Sequence, residues 1–152
     1  MKKVLAMVAF VMLSVIVYAF NDKSDANQGK KEVTGNGEVV VMDKEMFLKD
    51  VFDYEKSKEW KYKGDKPAII DLYADWCGPC KKIAPDVEAL AEEYKDQVII
   101  GKCDVDDNDE LTGKFGVRNI PTVLFIKDGE VKDKTVGAVT KAQLEEKIKA
   151  LL

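Results

Sequence analysis

The chain has 152 residues, of which 46% are apolar, 24 are basic and 28 are acidic, so its formal net charge at pH 7 is −4. This length accommodates one domain of ordinary size with additional segments, and the acidic balance argues against nucleic-acid binding. The sequence contains no histidine, which excludes Ser-His and Cys-His catalytic pairs and every histidine-ligated metal site.

The N-terminal residues 1–20, MKKVLAMVAFVMLSVIVYAF, place two lysines before an apolar run. This is the layout of a secretory signal peptide, and residues 17–19 are small enough to form a cleavage site. An uncleaved membrane anchor is the alternative, because the run is close to the roughly 20 residues that cross a hydrocarbon core. Both alternatives place the domain outside the cytoplasm, so the sequence predicts a periplasmic location.

Residues 21–37, NDKSDANQGKKEVTGNG, contain almost no large apolar side chains and are predicted to be a flexible linker. The folded domain is predicted over residues 38–152. It begins with a short strand, EVVVM, and a helix that starts at Asp43. Residues 55–66, EKSKEWKYKGDK, are strongly charged and are predicted to form a solvent-facing extension or loop.

Strands and helices alternate through the rest of the chain. A strand, AIIDLYA, is followed by a helix, GPCKKIAPDVEALAEEY, a strand, QVIIGKCDV, and a short helix, NDELTGKFG. Two more strands flank the hairpin dipeptide at residues 128–129, and Thr140 and Gln143 form a capping box for the last helix. The order β-α-β-α-β-α-β-β-α predicts an α/β fold with a central mixed sheet and helices on both faces.

Two of the three cysteines, Cys77 and Cys80, are separated only by Gly78 and Pro79. Cys77 falls where a strand ends and a helix begins, so the unpaired N–H groups and the positive end of the helix dipole favour its thiolate, the attacking species. Cys80 lies one turn later and within disulfide reach. Pro79 is compatible with the first helical turn, which has no N–H partner to lose. The pattern indicates a reversible redox pair.

Two other interpretations of this cysteine pair are weaker. A purely structural disulfide would close a ring of four residues and would gain little loop entropy. A zinc site would need four ligands, and the pair together with Cys103 supplies only three. No metal site is therefore predicted.

The segments DLYADWCGPCKK and FGVRNIPTVLFIKDGE resemble the thioredoxin family, and the resemblance extends over roughly residues 38–152. It implies a thioredoxin fold, no cofactor, and a protein-disulfide reductase in which Cys77 attacks a substrate disulfide. Cys80 then releases the reduced substrate, which leaves a Cys77–Cys80 disulfide.

Asp71 lies within the apolar strand AIIDLYA, where burial is expected and an unpaired charge is costly. The resemblance implies that Asp71 lies beneath Cys80 and helps to take its proton, with Lys102 nearby as electrostatic support. The alternative is that Asp71 faces solvent at a strand end.

The resemblance also implies a cis peptide bond before Pro121, next to the dithiol, where the preceding residue offers its backbone to an extended substrate. The predicted substrate-binding rim is apolar and comprises Trp76, Gly78, Pro79, Ile120, Pro121, Gly137 and Ala138. An ordinary strand end is an equally good interpretation of Gly137 and Ala138.

The third cysteine, Cys103, is predicted to be a buried, inert thiol, with oxidative pairing to another chain as the alternative. Together these observations predict an exported monomeric reductase that acts on proteins with disulfides and is re-reduced by a thiol donor in the membrane or periplasm. A disulfide oxidase or isomerase with the same residues is one alternative. A redox-silent module that binds extended chains on the rim is another.

Overall fold

The computed structural model describes residues 35–59 and 61–152. Five strands within these residues form one sheet in the order β1-β3-β2-β4-β5. The strands are β1 (Val40–Met42), β2 (Ala68–Tyr73), β3 (Ile99–Asp104), β4 (Thr122–Lys127) and β5 (Glu130–Val136). The β1–β3 and β3–β2 pairs are parallel, whereas the β2–β4 and β4–β5 pairs are antiparallel. This confirms the predicted mixed sheet.

Helices cover both faces of the sheet, as predicted. They are α1 (Lys44–Met46), which continues as a π-helical turn (Phe47–Val51), α2 (Gly78–Glu93), α3 (Asp109–Lys114) and α4 (Lys141–Leu151). Buried between the sheet and helices α2 and α4 are Ile69, Ile83, Val87, Leu90, Val123, Phe125, Leu144 and Ile148. The opposite face buries Phe47, Val51, Ile70, Leu72, Cys103 and Leu111.

The predicted ends of several elements are confirmed by their hydrogen bonds and backbone angles. Asp43 caps α1, because its side chain accepts a hydrogen bond from the Met46 N–H at 2.7 Å. Thr140 and Gln143 form the capping box of α4. Residues 128–129 have φ angles of 51° and 80°, the left-handed pair that a tight hairpin between β4 and β5 requires.

The connection between the π-helical turn and β2, residues 52–67, differs from the prediction. Residues 55–66 were expected to face solvent, but Tyr62 is buried and its backbone N–H donates to the Gly129 carbonyl at 3.3 Å. The Lys63 N–H donates to the Val51 carbonyl at 3.0 Å. These two hydrogen bonds join the connection to the β4–β5 hairpin and to the end of the helical turn. The connection is held against the domain rather than in solvent because the Tyr62 ring is part of the apolar core.

The predictions for residues 1–20, and for residues 21–34 of the linker, lie outside the described residues. Within residues 35–59 and 61–152, no helix has the length and apolar character needed to cross a membrane. Gly35 is the first described residue, and its carbonyl accepts a hydrogen bond from the Asp96 N–H at 2.7 Å. A Cβ atom at Gly35 would lie 2.9 Å from the Val98 carbonyl oxygen, so the chain enters the domain in close contact with the start of β3.

Candidate active site

The cysteine pair lies at the junction between β2 and α2. Cys77 is the N-cap of α2, and its Sγ accepts a hydrogen bond from the Cys80 N–H at 3.1 Å. The two residues form a disulfide with a Cα–Cα distance of 5.3 Å, and Pro79 lies in the first turn of the helix. The predicted geometry of a helix N-terminus with two adjacent sulfurs is confirmed.

Both cysteines are largely enclosed in this oxidised state. Cys77 is 3% exposed and Cys80 is 4% exposed, because both pack into the apolar cluster that includes Leu72. Gly78 and Pro79, between them, are exposed. The exposed surface that directly adjoins the disulfide in the sequence is therefore that of Gly78 and Pro79.

Asp71 is buried on β2, with an exposed fraction of 4%, so the alternative that it faces solvent is wrong. Its Oδ1 atom makes no hydrogen bond within the described residues. Burial raises the pKa of the Asp71 carboxyl group to about 7, and the positive charge of Lys102 offsets only part of that rise. The carboxyl group can therefore gain or lose a proton near neutral pH.

Lys102 is the direct neighbour of Asp71 in the strand register between β2 and β3. Its ammonium nitrogen lies over the ring of Tyr73, 5.3 Å from the centroid. Within residues 35–59 and 61–152, Lys102 and Asp71 form no salt bridge. Lys102 thus acts on Asp71 through space, while its ammonium group is held by a cation–π contact.

The loops that precede β4 and follow β5 are joined by a backbone hydrogen bond. The Ile120–Pro121 peptide bond is cis, as the resemblance implies. The Pro121 carbonyl accepts a hydrogen bond from the Gly137 N–H at 2.8 Å. Gly137 directly follows β5 and has a φ of 87°, which glycine adopts without steric cost. Gly137 is thus both a strand end and a neighbour of the cis proline, and Ala138 beside it is exposed.

Trp76 is the most exposed large apolar side chain next to the disulfide, with 70% of its surface accessible. Its indole N–H donates to Oδ2 of Asp106 at 2.6 Å, and the Asp106 N–H in turn donates to Asp104 at 2.9 Å. The sequence did not predict this role of Asp106. The acid-rich run after β3 was the available signal, but it did not identify which carboxylate would reach the indole.

A groove of about 440 Å³ lies beside this tryptophan. It is lined by Trp76, Val105, Asp106, Asp109, Thr112, Val117, Arg118, Asn119 and Ile120. The structure thus brings two members of the predicted rim, Trp76 and Ile120, to one groove.

The free cysteine, Cys103, is completely buried on β3. Burial raises the pKa of its thiol to about 12, and the nearby carboxylate of Asp104 contributes to the rise. The prediction of a buried thiol is confirmed. At neutral pH the group is almost entirely protonated and therefore a poor nucleophile.

Comparison with known proteins gives consistent matches over the described domain. The thioredoxin family model matches residues 38–150. A thioredoxin from Borreliella burgdorferi is 41% identical over 111 residues, which are 72% of this chain and 94% of that protein. Thioredoxin 2 of Chlorobaculum tepidum is 45% identical over 84 residues, 55% of this chain and 77% of that protein. The chloroplastic M-type thioredoxin of Spinacia oleracea is 39% identical over 107 residues, 69% of this chain and 59% of that protein.

Proposed function

This chain belongs to the thioredoxin family, and from that premise we propose that it reduces protein disulfides outside the cytoplasm. A thioredoxin-type protein-disulfide reductase is supported by the family match and by one observation above all. That observation is the Cys77–Cys80 disulfide at the N-terminus of α2, where the Cys80 N–H points at the sulfur of Cys77.

In the first step, the Cys77 thiolate attacks one sulfur of the substrate disulfide. The substrate S–S bond breaks, a mixed disulfide between Cys77 and the substrate forms, and the released substrate thiolate takes a proton. The Cys80 N–H and the dipole of α2 stabilise the negative charge on Cys77 in the reduced protein.

In the second step, Cys80 loses its proton and attacks the sulfur of Cys77. The mixed disulfide breaks, the second substrate thiolate leaves and is protonated, and the Cys77–Cys80 disulfide forms. Two electrons have then passed from the protein to the substrate. Asp71 accepts the Cys80 proton in this proposal, since its pKa of about 7 suits a base that works at neutral pH.

Substrate binding is assigned to the rim around the disulfide. The backbone of Ile120, before the cis Pro121, is available for strand-like pairing with an extended substrate. In this proposal Trp76 supplies exposed apolar area next to the disulfide, and Gly137 and Ala138 contribute from the loop whose Gly137 N–H donates to the Pro121 carbonyl.

The exported setting rests on the N-terminal residues 1–20, which have the layout of a signal peptide or anchor. In an oxidising compartment the dithiol must be regenerated, so the proposal includes a thiol donor in the membrane or periplasm. The proposal includes a monomeric protein, and the burial of Cys103 supports this because it disfavours a disulfide-linked dimer.

Reduction of a disulfide-linked protein such as insulin, by the pre-reduced full chain, tests the chemistry. Cys77→Ser should abolish turnover, whereas unchanged biological activity of this variant would favour the redox-silent binding module. Equilibration of the dithiol with glutathione separates reductase from oxidase, since about 30 mV corresponds to roughly 1.4 kcal/mol. Export is tested separately by fusing residues 1–37 to a reporter enzyme that is active only outside the cytoplasm.

A further inference from the structure

A second groove lies on the α1–α3 side of the sheet and shares no residue with the disulfide or with the groove at Trp76. It has a volume of about 450 Å³, within the range typical of binding sites. It is lined by Phe52, Lys58, Lys114, Phe115, Glu130 and Val131, and is called the basic groove below. These residues come from the connection before β2, the end of α3 and the start of β5.

The floor of the basic groove is apolar and firmly held. Phe52 is buried and belongs to the core cluster on this face. Phe115 and Val131 are half-buried against the same cluster. The Phe115 ring meets that of Phe47 edge-on, with centroids 5.8 Å apart. An apolar floor that borders open space offers a packing surface for an aromatic or branched side chain.

The rim of the basic groove is positively charged. Lys58 and Lys114 are exposed, and in the part of the chain that the structure describes neither makes an ion pair. Among the described residues of the lining, Glu130 is the only acid, and its carboxylate pairs with the Lys132 ammonium group at 2.8 Å. The described lining, with Lys58, Lys114 and Glu130, therefore has a net positive charge on a chain whose overall formal charge is −4.

The neighbouring surface has a similar balance of charge. A smaller groove of about 330 Å³ shares Phe52 and has Lys61 and Lys63 in its lining. Its acid, Asp53, is paired with Lys56 at 3.0 Å and lies 3.8 Å from Lys63. The two acids of the connection without a lysine partner among the described residues, Glu59 and Asp65, line neither groove.

The basic groove is displaced from the disulfide along the sheet. Val131 is paired with Ile126, which is four residues along β4 from Thr122, next to the cis proline. At a rise of about 3.3 Å per residue, this separates Val131 from the level of Thr122 by roughly 13 Å along the sheet. An occupant of the groove therefore leaves the disulfide accessible.

From these observations we propose that the basic groove docks an acidic segment of a partner protein that carries an aromatic or branched side chain. That side chain packs on Phe115 and Val131, while the carboxylates of the segment pair with Lys58 and Lys114. Charge complementarity selects an acidic occupant, and the buried anchor supplies most of the affinity. The partner is then held while the dithiol acts on it, which raises the effective concentration of its disulfide.

A titration of the ¹⁵N-labelled full chain, in a neutral detergent, with acetyl-Glu-Glu-Phe-Glu-amide tests the proposal. The matched control peptide is acetyl-Lys-Lys-Phe-Lys-amide. The acidic peptide should shift the backbone amide signals of Phe115, Glu130 and Val131, and should leave those of Trp76 and Ile120 in place. Binding should weaken as salt is raised, because exposed charges are screened.

Variants of the rim and of the floor separate the two contributions. The double variant Lys58→Glu with Lys114→Glu should bind the acidic peptide roughly tenfold more weakly, a loss of about 1.4 kcal/mol. Lys81→Glu is the matched control, because Lys81 is exposed on α2, on the other face of the sheet, and should bind as the unaltered protein does. Val131→Ser keeps the charges and should also weaken binding.

Several outcomes would overturn the proposal. The proposal fails if the acidic peptide does not bind at about 1 mM, or if the basic control peptide binds equally well. It also fails if the amide shifts are confined to the disulfide rim, or if Lys81→Glu weakens binding as much as the double variant does. Binding to vesicles of anionic phospholipid, lost in the double variant while the acidic peptide fails to bind, would assign the groove to a membrane surface instead. None of these outcomes depends on reductase activity, so the two proposals can fail independently.

Discussion

Asp71 and Lys102 are paired neighbours on β2 and β3, yet they do not form a salt bridge. The Lys102 ammonium group lies over the Tyr73 ring, and the buried carboxyl group of Asp71 has a pKa raised to about 7. A direct contact with the ammonium group would lower that pKa and hold the carboxylate in its charged form. The separation of the two groups therefore keeps Asp71 able to exchange a proton at neutral pH.

Replacement of Asp71 by Asn should slow the release of reduced substrate. In the unaltered protein the rate of release should rise with pH through about 7, as Asp71 ionises and becomes able to accept a proton. We expect the variant to lack this rise, and to release substrate roughly 10- to 100-fold more slowly than the unaltered protein at pH values above 7. Stopped-flow measurement of mixed-disulfide decay at several pH values checks this. Equal rates for the two proteins would remove Asp71 from the proton transfer.

The same substitution should alter the pH dependence of stability. The raised pKa means that, between about pH 4 and 7, the folded protein binds a proton that the unfolded chain has lost. The free energy of unfolding therefore falls as pH rises through this window, by up to roughly 4 kcal/mol. The Asp71→Asn variant should lack this fall in the free energy of unfolding, and should therefore be more stable than the unaltered protein at pH 8. Urea unfolding at several pH values between 4 and 8 measures the free energy of unfolding of both proteins. Asp107→Asn is the control, because Asp107 is exposed.

Replacement of Cys80 by Ala should trap the first intermediate. With no second thiol to attack Cys77, the substrate stays bound through a mixed disulfide. Non-reducing electrophoresis of the variant after reaction with a disulfide-linked protein should show a stable adduct. The double variant that also carries Cys77→Ser should form none. Normal release of substrate by Cys80→Ala would contradict the assigned order of attack.

Loss of the Asp106 carboxylate should free the Trp76 side chain. Its indole N–H donates to Asp106 at 2.6 Å, and the tryptophan is otherwise highly exposed. We expect Asp106→Ala to lower kcat/KM for protein substrates by roughly fivefold, about 1 kcal/mol, because a hydrogen bond to an exposed charge contributes little more. Asp106→Asn keeps an acceptor oxygen and should restore most of the activity. An unchanged kcat/KM in Asp106→Ala would mean that this bond does not position the indole.

Cys103 should be unreactive in the folded protein. With a thiol pKa of about 12, its thiolate fraction at pH 7 is about one part in 10⁵. Iodoacetamide at pH 7.5 should modify Cys103 only after unfolding, as shown by mass spectrometry of the Cys77→Ser, Cys80→Ser protein. Chromatography under oxidising conditions should show a monomer. A disulfide-linked dimer that disappears in Cys103→Ser would reverse this assignment.

The parts of the site that follow from local pattern could be predicted from the sequence. The burial of Asp71 follows from its place in a continuous apolar strand, and the position of Cys77 follows from the junction of strand and helix. The features that were not predicted depend on distant contacts. Trp76 and Asp106 are 30 residues apart in the chain, and Tyr62 pairs with Gly129 on a different element. No local periodicity encodes such a contact.

The point at which the chain enters the domain has a consequence for how the domain can be attached. Gly35 lies against Val98, just before β3 begins, whereas Cys77 follows the end of β2. Since β2 and β3 are parallel neighbours, these two positions lie at opposite ends of the strands. The first described residue and the disulfide are therefore separated by the length of the strands, so a group joined to the domain at Gly35 leaves the disulfide end of the sheet accessible.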